Sequence, residues 1–175
     1  MPRVDSRSAV SSRLAALDLA GLRLARTLGH TPRAERAVRA FSALGQHGGL
    51  WLALGVGGAA LHPARRAHWR RATRAVVLAN AVNQTVKFAV HRRRPQLPDL
   101  PPLTRTPTQL SFPSAHSATS AAAAQAFRHL VPVVPLRATA AAMTASRLYL
   151  GVHYPSDIVA GVLLGTVIGR IGDPR

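Results

Sequence analysis

Ser146-Arg147-Leu148-Tyr149-Leu150-Gly151-Val152-His153-Tyr154-Pro155-Ser156-Asp157 joins two apolar runs, 133–150 and 155–171. Arg147 ends the first run, and Pro155 fits the first turn of a helix continuing through the second. Asp157 then lies inside that turn, where the helix dipole favours a carboxylate. Helix capping accounts for Asp157 without any chemistry. Acids are scarce, however: of six in the chain, Asp157 is the one between Asp99 and Asp173. It can reach back to His153, and a carboxylate on one imidazole nitrogen fixes the tautomer and frees the other nitrogen as a nucleophile.

Working outward, five apolar segments appear at about 46–62, 73–90, 115–132, 133–150 and 155–171. At roughly 16–18 residues each, they sit at the low end of what a bilayer span requires. The expected fold is therefore all-α: an integral membrane helical bundle of about five transmembrane helices, preceded by amphipathic interfacial helices. Residues 1–12 are expected to be a flexible polar tail, 13–44 the interfacial helices and 45–172 the membrane-embedded core, placing the protein in the cell membrane as a multi-pass chain. Thr31-Pro32 has the form of an N-cap followed by proline at the first helical position. Gly161, Gly165 and Gly169 share one helix face, which suits packing within the bundle better than a dimer seam. The stretch 91–114 carries six prolines, at 95, 98, 101, 102, 107 and 113, and must be a long loop.

The formal net charge is +17, and a single lysine, Lys87, stands among 22 arginines. Such charge admits nucleic-acid binding, attraction to anionic lipid, or a bias toward arginine. With 47% apolar residues gathered in blocks and arginines mostly between them, a bilayer protein with basic flanks is the better reading, and no nucleic-acid partner is expected. The absence of cysteine excludes disulfides and thiolate metal sites.

Two further blocks carry chemistry. Lys87 is followed seven residues later by Arg94-Pro95, so both cations can share a helix face if the helix runs that far. Lys87 is either a residue snorkeling to the interface or a fixed point charge; Arg92 and Arg93 read as headgroup contacts. In Pro113-Ser114-Ala115-His116 the loop turns into an apolar helix whose first N–H groups can bind an anion. Ser114 can add a hydroxyl, Ala115 lets a phosphate approach the backbone, and His116 is placed to protonate a leaving oxygen. A serine cap with a solvent-facing histidine is the plainer alternative.

In this order the three blocks resemble the type 2 phosphatidic acid phosphatase family, which shares its site with vanadium haloperoxidases. Lys87, Arg94 and Pro95 match its first motif. Ser114 and His116 match its second, with Ala115 in place of glycine. Ser146, Arg147, His153 and Asp157 match its third. The resemblance covers about 70–171. It implies phosphate binding by Lys87, Arg94, Ser114, Ala115 and Arg147, nucleophilic attack by His153 oriented by Asp157, and acid–base work by His116. It implies neither metal nor other cofactor. A narrower resemblance runs through Thr106–His116 and Gly45–Trp51, to members acting on a polyprenyl-linked sugar phosphate in cell-wall arabinan precursor synthesis. The implied partners are a polyprenyl-phosphate or other lipid-phosphate substrate and membrane lipids. Undecaprenyl diphosphate, phosphatidylglycerol phosphate and phosphatidic acid are the alternative substrates. From another class, a non-catalytic basic protein binding anionic lipid is the competing reading.

Overall fold

The computed structural model describes residues 6–171, with side chains from residue 12 onward. Among these the regular elements are seven α-helices and two short 3-10 turns. They are α1 (Ser6–Thr27), α2 (Pro32–Leu44), α3 (Gly49–Leu61), α4 (Arg66–Val90), α5 (Ala115–Ala126), α6 (Val133–Tyr149) and α7 (Pro155–Ile171). Helix α1 begins at Ser6, within the stretch 1–12 expected as a polar tail. Residues 1–5 lie outside the described chain.

Local signals account for most boundaries. Thr31 caps α2 by accepting from the Ala34 N–H, with Pro32 in the first turn. Ser114 caps α5 and accepts from the Ser117 N–H. Helix α4 stops at Val90 because His91 takes the left-handed conformation, φ 54°. The expectation that Arg94 continues the Lys87 face of this helix is therefore corrected. Arg94 is brought in by the loop, which is folded back through an Arg93–Leu110 bridge and an Arg94 N–H to Gln109 carbonyl bond of 3.0 Å.

Helix α5 is the axis of the bundle and packs on α3, α4, α6 and α7. Its sequence is mostly Ala, Ser and Thr, and it is buried along nearly its whole length. Small side chains let backbones approach closely. Against it α7 presents Gly161 and Gly169, where a Cβ would lie 2.5 Å from the Ser114 carbonyl and 2.6 Å from the Ala122 carbonyl; at Gly165 the Ala118 carbonyl is closer still. The glycine face is an internal packing seam, as its spacing predicts. On the other side of α5, Trp51, Trp69, Val76, Phe127 and Leu136 form an apolar cluster. The Trp51 indole N–H donates to the Ser120 hydroxyl at 3.1 Å.

The five segments expected to cross a bilayer correspond to α3 to α7, but no helix among the described residues is long and apolar enough to cross a membrane. The reasons differ by helix. Helix α5 has 12 residues, about 18 Å at 1.5 Å rise per residue. Helix α4 has 25 residues but carries Arg66, Arg70, Arg71, Arg74 and Lys87. The outer faces are nonetheless apolar: Val56, Leu61, Val134, Leu163 and Ile171 are each more than 60% exposed.

Charge is segregated along the helices. Lys87 closes α4 and Arg147 closes α6, while His116 opens α5 and Asp157 opens α7. The four helices thus bring these side chains to one end of the bundle. Arg66, Arg70, Arg71, Arg137 and Arg170 lie toward the opposite ends of the same helices. Helix α1 lies across the site end. One face, Asp18, Leu22 and Arg26, is buried at a spacing of four, whereas Leu14, Leu17 and Leu24, and Leu28 just past its end, are turned outward.

Candidate active site

Lys87, Arg94, Ala115, His116, Arg147 and His153 line one inner cavity of about 190 Å3, together with Gln46, Asn80 and Gln84. Residues from three helices, α4, α5 and α6, and from two loops therefore meet, as the motif reading expects. Ser114 and Asp157 stand just behind the wall, both fully buried.

The cations are held by neutral partners. Lys87 Nζ donates to the Pro113 carbonyl at 3.0 Å and the Leu110 carbonyl at 3.2 Å. Arg94 donates to the carbonyls of Thr108 at 2.8 Å and Val152 at 2.7 Å. Arg147 donates to the Ser42 hydroxyl at 2.6 Å, and its buried Nε makes no hydrogen bond among the described residues. Burial pushes the Arg94 guanidinium down to about 10, with the Asp157 charge opposing. Asp157, the nearest carboxylate, is itself paired with Arg92 at 2.8 Å. The cavity thus concentrates positive charge away from water, where an anion interacts far more strongly than in solvent.

The two histidines are held in different ways. Arg94 Nη1 stands 3.0 Å from His153 Nε2. An arginine can only donate, so Nε2 is the lone-pair nitrogen and the proton sits on Nδ1. That Nδ1 faces Asp157 Oδ2 at 3.4 Å, a contact short of a well-formed hydrogen bond. Burial first, and then the Arg94 and Arg147 charges, push His153 down to about 3 against the opposing pull of Asp157. His153 is therefore neutral at physiological pH with Nε2 unprotonated. His116 Nε2 contacts the Ser42 carbonyl at 3.0 Å; a carbonyl only accepts, so Nε2 carries the proton and Nδ1 is left to exchange one. His116 is buried, which removes the plain solvent-facing alternative.

Three residues escaped the sequence reading. Arg92, expected at headgroups, instead donates to Asp157 Oδ1 at 2.8 Å, Ser156 Oγ at 2.6 Å and Asp18 Oδ2 at 2.7 Å, with its guanidinium 4.2 Å over the Tyr154 ring. Asp18 also accepts from the Ser156 N–H at 2.8 Å and the Ser156 hydroxyl at 2.6 Å. Ser42 receives Arg147 and Ser146 on its hydroxyl and His116 on its carbonyl. Helices α1 and α2 thus form the outer support of the site. The scarcity of acids, which singled out Asp157, is a signal that could also have found Asp18; nothing in the spacing marks Ser42. Among the described residues no group of three or more His, Asp or Glu side chains gathers in an arrangement able to hold a metal ion.

The geometry can be set beside known proteins. The profile of the PAP2 superfamily matches residues 70–172. A Mycobacterium tuberculosis (strain CDC 1551 / Oshkosh) protein named decaprenylphosphoryl-5-phosphoribose phosphatase is 42% identical over 139 residues, covering 77% of this chain and 76% of its own. The protein of the same name from Mycolicibacterium smegmatis is 39% identical over 130 residues, covering 74% and 72%. Among solved structures, Aquifex aeolicus LpxE superposes with a TM-score of 0.73 at 25% identity, covering 89% of this chain and 94% of that one. The PAP2-type phosphatidylglycerolphosphate phosphatase of Bacillus subtilis superposes with a TM-score of 0.72 at 25% identity, covering 94% and 84%.

Proposed function

Because the chain belongs to the PAP2 superfamily, we propose that it is a membrane lipid phosphatase cleaving a polyprenyl-linked phosphomonoester, with decaprenylphosphoryl-5-phosphoribose as substrate. The observation that carries this is the inner cavity, where Lys87, Arg94 and Arg147 converge beside an unprotonated His153 Nε2 and no carboxylate lines the wall. A phosphate dianion offers these cations the counter-charge they lack.

The reaction proceeds in two displacements. Bound phosphate takes over the Arg94 N–H now directed at His153 Nε2, freeing that lone pair. Nε2 attacks phosphorus and the P–O ester bond breaks. The charge of the dianion raises the proton affinity of His116, so that Nδ1 takes up a proton from solvent as the substrate binds and then passes it to the departing alkoxide. Lys87, Arg94 and Arg147, with the backbone N–H of Ala115, hold the three equatorial oxygens. Asp157 keeps the Nδ1 proton of His153 in place and balances the positive charge of the phosphohistidine. Water then attacks phosphorus and gives a proton to His116; the P–Nε2 bond breaks, its electron pair returns to His153, and inorganic phosphate leaves. The three fixed cations supply the charge stabilisation a divalent ion would otherwise give.

The surface supports placement at a membrane. The apolar outer faces of α3, α4, α6 and α7 meet the acyl chains, and the arginines at the far ends of the helices meet headgroups. The outward leucines of α1 lie in the interface beside the site, so the substrate's phosphate enters the cavity while its tail stays in lipid. The test is phosphate release by purified protein from a panel of lipid phosphates in EDTA. Release from the polyprenyl-linked sugar phosphate is expected to exceed that from phosphatidate and phosphatidylglycerol phosphate. Inactivity on every member, or activity restored only by magnesium, would overturn the proposal.

A further inference from the structure

Beside the inner cavity lies a larger one of about 740 Å3, lined among others by Arg39, Gln96, Thr104, Arg105, Thr106 and Gln109. Arg94 belongs to the walls of both. A third hollow of about 390 Å3 links Arg39 and Arg105 to Arg147 and Ser42. The three spaces thus share walls around the site's own cations, and no carboxylate lines the two outer ones.

Some arginines at this end of the bundle already have partners. Arg23 pairs with Asp99, Arg26 reaches the Pro101 carbonyl, and Arg92 holds two carboxylates. Arg39 and Arg105 have no such side-chain partner among the described residues. Two unpartnered guanidiniums, one from α2 and one from the loop, face a space whose other polar groups are hydroxyls and amides. Guanidiniums recognise phosphate in a forked geometry, and hydroxyls and amides suit a polyol. Such a lining is a poor berth for an acyl chain.

We propose that this outer cavity is a second anion subsite, in which Arg39 and Arg105 bind a phosphodiester separated by a short polyol from the phosphomonoester held at His153. This rests on the phosphatase reading and assigns residues to the second phosphate of its substrate. The preferred substrate carries two phosphates on one sugar-like unit. A lipid with a single phosphate leaves the subsite empty, and a diphosphate has no polyol to span the two cavities.

The test compares kcat/KM on a polyprenylphosphoryl phosphoribose and on a polyprenyl monophosphate, for the wild type and for Arg39→Gln/Arg105→Gln. Both positions are exposed, so folding is expected to survive. The selectivity for the two-phosphate lipid is expected to fall by roughly thirtyfold, since each charge-assisted contact accounts for about a factor of ten or less. An unchanged ratio overturns the subsite. A binding measurement separates the two readings: on a His153→Ala background, ribose 1,5-bisphosphate should bind at least about tenfold more tightly than ribose 5-phosphate, and the arginine substitutions should erase that difference. The preference without turnover of any lipid phosphate sustains the subsite and sinks the phosphatase reading. Turnover without the preference does the reverse.

Discussion

Replacing Arg92 by glutamine removes the cation that ties α1 to the catalytic end of α7. Arg92 makes three contacts of 2.8, 2.7 and 2.6 Å, to Asp157, Asp18 and Ser156. Charge-assisted hydrogen bonds contribute about 1.5–3 kcal/mol each, which bounds the loss at about 9 kcal/mol. The Arg92 side chain is 30% exposed, so solvent screens part of this, whereas Asp157 at 0% has no water to turn to. Both carboxylates keep backbone donors, Tyr154 N–H for Asp157 and Ser156 N–H for Asp18. A net loss of about 3 kcal/mol is expected, which lowers Tm by about 6–12 °C for a chain of this size. Arg92 does not line the inner cavity, so KM for the phosphate ester should hold while kcat falls about tenfold as Asp157 loosens against His153. The assay is phosphate release with thermal unfolding in detergent, run as a double-mutant cycle with Asp18→Asn. Because Asp18 acts partly through Arg92, the coupling should reach at least about 1 kcal/mol. A Tm within about 2 °C of wild type, together with kcat within about twofold, would refute the clamp.

Other outcomes follow from the same geometry. Asp157→Asn keeps the volume but loses the charge behind Nδ1, so kcat should fall by about two to four orders of magnitude with residual turnover; wild-type kcat would remove its orienting role. Gly165→Ala puts a Cβ onto the Ala118 carbonyl and should cost at least about 1–3 kcal/mol by spreading α5 from α7. An unchanged Tm for that variant would contradict the seam. His153 is held neutral down to about 3, whereas the unfolded chain protonates it near 6.5. The unfolded state then binds more protons throughout that window, so stability is lost as pH falls from about 6.5 toward 3. His153→Gln should lose less Tm than wild type between pH 7 and 5, and equal losses would show that His153 does not contribute.

Much of the site was legible because its chemistry is local in sequence. Ser114 and Ala115 are the cap and first residue of a helix, and Asp157 follows His153 by four residues in the first turn of another, so capping rules and periodicity alone place them. Lys87 and Arg147 fall at the last turns of apolar segments for the same reason. The rest depends on non-local contacts. Ser42 meets Arg147 across 105 residues and Asp18 meets Arg92 across 74, and no pattern within either segment encodes the partner. Arg94 reaches its position through backbone bonds to Gln109 rather than by extending α4, because His91 turns left-handed first. The transmembrane expectation came from counting apolar residues. It could not foresee that α5 would end at Ala126, leaving 127–132 to turn and irregular backbone.

The central claim is that His153 forms a covalent bond to phosphorus. Rapid acid-free quenching of enzyme with a 32P-labelled lipid phosphate, followed by peptide mapping, tests it most directly. The account predicts a label that is stable in alkali, labile in acid, carried by the peptide containing His153, and absent from His153→Ala. Label on another residue, or full turnover by His153→Ala, would contradict it.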